Sequence, residues 1–71
     1  SYYVHPALPV CGAAIEEIPL PDGAAVLLVV RWRQLLAPRG DTRLQAGDHV
    51  HLLCGEADLA LLGLLFGRLE K

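Results

Sequence analysis

His49 and His51 are separated by one residue in the run His49-Val50-His51-Leu52-Leu53-Cys54 that closes at Gly55. On a β-strand, positions two apart share a face, so both imidazoles project from one side, a spacing compatible with a metal ion. A third ligand would have to come from elsewhere, with Cys11 and His5 as the candidates. Without it, the pair is two solvent- or interface-facing histidines on an otherwise buried strand, and no metal is assigned. Histidine changes charge between roughly pH 5 and 8, so at a seam between subunits His49 and His51 would sense protons.

Arg31 and Arg33 flank Trp32. Two guanidiniums beside an indole can hold an anion or a nucleotide, the ring serving as a stacking surface. The plainer reading is a solvated hairpin end in which Trp32 shields apolar neighbours. Glu16 and Glu17 are adjacent, so on a helix they diverge into solvent instead of forming an acid–base pair. Ser1 is the only serine, and neither Cys11 nor Cys54 has a histidine and an acid at a recognisable spacing. No glycine-rich loop joins a strand to a helix to cradle phosphate. The expectation is a protein that is not an enzyme and carries no cofactor.

The elements that position these groups belong to a chain of 71 residues, one domain at most. A monomer of that size buries only about 60% of its unfolded surface, yet 54% of this chain is hydrophobic. The excess apolar surface calls for a partner, most simply a second copy of the chain. The formal net charge of −2 comes from interspersed acids and bases, which excludes the basic stripe that nucleic acid requires. The longest apolar run, Ala24 to Val30, falls far short of the roughly 18 residues that span a membrane, and no signal peptide is evident. Two cysteines without C-x-x-C spacing point to reduced thiols in a cytoplasmic setting. A first residue Ser1 in place of an initiator methionine suggests a piece of a longer chain.

Tyr2-Tyr3-Val4 is β-prone, and Pro6 and Pro9 make an extended connector. Gly12 to Ile18 fits a short helix with Ile15 and Ile18 on one face, although a strand is also compatible; Pro19 and Pro21 stop it. Ala24 to Val30 is apolar on both alternating faces, so it is predicted as a central strand covered on both sides. Arg31 to Gln34 carry the chain out to solvent and reverse it, and Leu35-Leu36-Ala37 returns as a short strand ended by Pro38. His49 to Cys54 is a second main strand. Gly55-Glu56-Ala57-Asp58 opens a last helix, its acids at the positive end of the dipole. Leu59, Leu62, Phe66 and Leu69 form its stripe, Leu61, Leu64 and Leu65 widen it, and Gly63 and Gly67 permit close helix approach. The expected fold is α+β: a small antiparallel or mixed sheet with helices packed on one face, in the order β-α-β-β-β-α, and dimeric.

Two turns stand between the strands. Pro38-Arg39-Gly40-Asp41-Thr42 bends first, and Ala46-Gly47-Asp48 bends again, with Leu44 between them as a plug into the core. Gly47 can take the positive φ such a turn needs, and Asp48 can hydrogen-bond its own backbone at the strand entry.

This ordered set resembles the C-terminal subdomain of the regulators of potassium conductance, the TrkA-C (RCK-C) family. The similarity rests on Gly12, Leu20-Pro21-Asp22-Gly23, Val26 to Arg31, Leu35 to Pro38, Gly40-Asp41-Thr42, Leu44-Gln45-Ala46-Gly47-Asp48, Val50 to Gly55 and Asp58-Leu59, covering residues 12 to 67. Within the family the wording is most similar to the cytoplasmic piece of bacterial potassium(sodium)/proton antiporters of the CPA1 (NhaP2-like) type. The resemblance implies that residues 1–71 are one cytoplasmic, dimer-forming regulatory domain of an inner-membrane monovalent-cation/proton antiporter. It also implies partnership with the transport domain of the same protein and sensing of a small-molecule or nucleotide ligand. In some relatives that ligand is cyclic di-AMP, and the corresponding pocket here would be Ile18, Leu20, Ala25, Val26 and Pro38, with Arg31 a further candidate contact. The segment between helix and strand departs from those relatives, being a short Pro19-Leu20-Pro21-Asp22-Gly23 without their polar elements. Two alternatives stay open: a structural dimerisation module without a ligand, and a subdomain of a separate cytosolic gating subunit.

Overall fold

In the computed structural model, which describes residues 1–67, four strands form one antiparallel sheet. They are β1 (Tyr2–Tyr3), β2 (Ala25–Arg31), β3 (Gln34–Leu36) and β4 (His49–Leu53), in the spatial order β1-β4-β2-β3. One α-helix, α1 (Leu59–Phe66), follows a 3-10 turn at Glu56–Asp58. The domain is therefore a small α+β unit, and its sheet is wholly antiparallel.

The expected helix over Gly12 to Ile18 is only a single 3-10 turn, Ile15–Glu17. The residues before it pair with the chain between the two bends: Gly12 N donates to Leu44 O, Leu44 N to Ala13 O and Ile15 N to Thr42 O, with Ala14 bridging Arg43 antiparallel. Once that backbone is committed across the chain, and with Pro19 unable to donate, too few residues remain for a second helical turn. Glu17 is not purely solvated, because its carboxylate accepts from Ala14 N at 2.8 Å and from Arg43 Nη1 at 3.4 Å.

The core lies on one side of the sheet. Tyr2, Val29 and Val50 point into it from paired positions and meet Val4, Val10, Ile18, Leu44, Leu62 and Phe66. Leu44 is fully buried, as a plug between two bends should be. Tyr2 and Phe66 bring their rings to 5.5 Å, tying the first strand to the last helix.

The far side of the sheet differs from expectation. β2 is central in its hydrogen bonding, but only one of its faces is covered. The register slips between Val26 and Leu28, so Leu27 is an extra residue, and Leu27 and Leu28 both turn away from the core. Leu35 is paired with Val30, and Leu53 with Ala25, on the same outer side; Leu27, Leu35 and Leu53 are exposed. Both faces of this strand are apolar, and the fold covers one.

The last helix is shorter than its sequence stripe. Gly67 closes it at φ +79°, where a Cβ would also press to 3.1 Å from Leu8 Cδ2, so it serves as a cap and not as a helix-interior glycine. Leu62 and Phe66 are buried, whereas Leu61 and Leu64 face outward beside exposed Gly63. Leu69, predicted to extend the stripe, lies outside the described residues.

Candidate functional site

The groups singled out for chemistry come from the β2–β3 hairpin, the second bend and the outer face of β4. Arg31↔Gln34 is the last pair of the hairpin, leaving Trp32-Arg33 as its tip. Trp32 has φ +58°, the only positive φ outside glycine among the described residues. For a bulky side chain that conformation is an outlier, costing on the order of 1–3 kcal/mol. Trp32 is also 92% exposed, so it does not shield apolar neighbours as the hairpin reading supposed.

Arg31 does not run out to solvent. Its Nε donates to Asp48 Oδ1 and its Nη2 to Asp48 Oδ2, each at 2.9 Å, and Nη2 also donates to Arg43 O at 2.8 Å. This fork-to-carboxylate pairing raises the guanidinium above its ordinary pKa, through the Asp48 hydrogen bond first and against the cost of burial. Asp48 is 1% exposed and also accepts from Gln45 N at 2.8 Å, the self-turn foreseen for it. Gly47 carries φ +93° in the same bend and donates to Val4 O, while Val4 N donates to Asp48 O. The second bend is thus fastened to both the hairpin and the N-terminal strand. Spacing alone did not disclose the Arg31–Asp48 pair. The available signal was a lone aspartate at the start of a buried strand, which has to find a cation.

His49 and His51 do share the outer face of β4, opposite Val30 and Leu28 respectively. The Tyr3 ring lies edge-on between His49 at 5.2 Å and His5 at 4.7 Å. Among the described residues no third metal-ligating group joins the histidines. Cys11 and Cys54 are free thiols, each half-buried.

Tyr3, Pro6, Arg31, Trp32, Gln45, Ala46, Gly47, Asp48 and His49 enclose a cleft of about 540 Å³. Of the six residues assigned to a ligand, Arg31 lines this cleft. Ile18, Leu20 and Val26 pack in or against the core, while Ala25 is exposed on the opposite face of β2 and Pro38 is exposed beyond β3.

Residues 1–67 match the family model described as the TrkA-C domain. The chain belongs to the TrkA-C domain family. Among its relatives, the K(+)/H(+) antiporter NhaP2 of Shewanella baltica (strain OS223) is 39% identical over 57 residues, which is 80% of this chain and 10% of the antiporter. The Trk system potassium uptake protein TrkA homolog of Archaeoglobus fulgidus is 36% identical over 56 residues, 79% of this chain and 13% of that protein. The chain therefore spans about a tenth of the length of these relatives. A solved structure described as an RCK domain with cda superposes with a TM-score of 0.72, covering 90% of this chain and 94% of that one. At 18% identity it shows a shared fold. As a TrkA-C domain this chain is related to potassium transport proteins, and no helix among its described residues is long and apolar enough to cross a membrane.

Proposed function

We propose that this TrkA-C domain is the cytoplasmic regulatory, dimer-forming part of an inner-membrane monovalent-cation/proton antiporter. The observation that carries the reading is the relatedness to NhaP2 over most of the chain. Support for self-association comes from the uncovered side of the sheet, where Leu27, Leu28, Val30, Leu35 and Leu53 form an apolar face that the domain itself cannot bury. In a two-fold dimer the same patch meets its own copy. Regulation then works as a population shift: whatever favours one dimer geometry biases the attached transport domain by its differential affinity. Ile18, Leu20, Ala25, Val26, Arg31 and Pro38 remain the candidate contacts for a sensed ligand.

Leu35 provides the test. It is 71% exposed, so Leu35→Lys is expected to change folding stability by no more than about 0.5 kcal/mol. In sedimentation equilibrium the same variant should shift the domain from dimer to monomer. A dimer as tight as that of the parent chain would remove the sheet face from the assembly.

His49 and His51 lie on this proposed seam, and two-fold symmetry would bring their copies near one another. Acidification between roughly pH 8 and 5 charges histidines, and like charges at a seam repel, so dimerisation should weaken as pH falls. Replacing both with Gln is expected to leave the domain folded and to flatten that dependence. A pH profile identical to the parent's would end the proton-sensing role.

The relatedness to the Archaeoglobus TrkA homolog favours a second reading, a subdomain of a separate cytosolic gating subunit. A polytopic membrane segment upstream in the full-length chain distinguishes the antiporter from the gating subunit.

A further inference from the structure

The cleft beside the β2–β3 hairpin is unrelated to the residues on which ligand sensing was mapped, apart from Arg31. It is lined by Tyr3, Trp32 and His49 together with the bend from Gln45 to Asp48. At about 540 Å³ it falls within the range of small-molecule pockets.

Trp32 is the informative member. A two-residue hairpin tip with positive φ at its first residue is a place for glycine, which takes that conformation at no steric cost. This chain places its single tryptophan there, with the side chain 92% exposed and no core contact to hold it. Strain of this kind gathers at ligand clamps, where the side chain is wanted despite the backbone.

The donors around the cleft define the ligand. Arg31 commits Nε and Nη2 to Asp48 and Arg43, while its Nη1 makes no hydrogen bond among the described residues, and its side chain keeps 23% exposure. Tyr3 Oη reaches over the bend, 4.0 Å from where a Cβ on Gly47 would stand. Arg33, beside Trp32 at the tip, forms no ion pair among the described residues. Within the cleft Arg31 is paired with the one carboxylate, Asp48, and its Nη1 is the donor left over for a ligand. A flat ring for the indole and an anion for the guanidinium edge are the complementary chemistry.

We propose that the Trp32–Tyr3–Arg31 cleft is a binding site for a nucleoside monophosphate, its base stacked on Trp32 and its phosphate against Arg31 Nη1 and Tyr3 Oη. The site does not depend on what the domain is attached to, so it stands or falls separately from the antiporter assignment. The sole tryptophan makes the test direct. Titrating the 71-residue chain with AMP should quench its fluorescence saturably, with Kd below about 1 mM. Adenosine and ribose 5-phosphate, each lacking one half of the ligand, should bind at least about tenfold more weakly. By calorimetry, Trp32→Gly should abolish AMP binding while its Tm equals or exceeds that of the parent, because glycine relieves the turn; Tyr3→Phe should weaken binding several-fold. A flat AMP titration, an equal response to adenosine, or full AMP binding by Trp32→Gly overturns the proposal. So does a dimer that Trp32→Gly dissociates while AMP has no effect, since the indole would then be an anchor for a second copy.

Discussion

Asp48→Ala is expected to remove about 3 kcal/mol of folding stability, read as a lower urea midpoint at unchanged m-value. The carboxylate is 1% exposed and accepts from Arg31 Nε, Arg31 Nη2 and Gln45 N, all within 2.9 Å. Removing it strands the Gln45 N–H and leaves a guanidinium without its anion. Breaking a fully buried ion pair costs roughly 3–5 kcal/mol. The Arg31 side chain is 23% exposed, so water recovers part of its solvation and places the cost at the lower end. A domain of this length has roughly 4–10 kcal/mol in total, so the substitution removes a large share. Asp48→Asn, which keeps one acceptor oxygen, should fall between. The double variant Arg31→Met/Asp48→Leu should regain much of the loss, because no unpaired charge is left behind. A cost under about 1 kcal/mol for Asp48→Ala would place the pair among ordinary surface bridges.

That ion pair also marks the limit of what the sequence disclosed. Strand positions followed from local chemistry: alternation in the His49–Leu53 strand, a uniformly apolar run for β2 and turn residues between them. Leu44 could be placed in the core because an isolated leucine between two bends has nowhere else to go. Arg31–Asp48 was not legible, since it joins residues 17 apart in the chain through a side chain that folds back from the hairpin. Trp32 was visible as a chemical group, but its positive φ follows from the Arg31↔Gln34 register, which only the paired strands establish. The same holds for the segment from Gly12 to Ile18. Its helical spacing was real, yet tertiary backbone bonds from Gly12, Ala13 and Ile15 to the bend overrode it.

The β2 strand carries the more general lesson. A run apolar on both faces ordinarily means a strand covered on both faces. Here the bulge at Leu27 and the outward Leu35 and Leu53 leave one face open. The sequence reading of burial and the fold of the single chain are reconciled if the missing layer is another molecule.

Leu44→Ala is expected to cost about 3–4 kcal/mol, in the middle of the range for leucine truncations in cores. Where in that range a site falls depends on how far its surroundings can collapse. Leu44 is fully buried, and its backbone is pinned on both sides, Leu44 N donating to Ala13 O and Gly12 N to Leu44 O. The bends before and after it are closed by their own bonds, Thr42 N to Arg39 O and Asp48 N to Gln45 O. The walls of the cavity are therefore held apart, and little of the lost volume can be refilled. Leu35→Ala removes the same atoms from a position 71% exposed, so chemical denaturation of the monomer should register no more than about 0.5 kcal/mol. The contrast separates two placements of leucine in this chain, one holding the bends to the core and one exposed on the outer face of the sheet. If Leu44→Ala instead costs under about 1 kcal/mol, the bends hold their place through the Asp48 network alone, and the plug is not what joins them to the core.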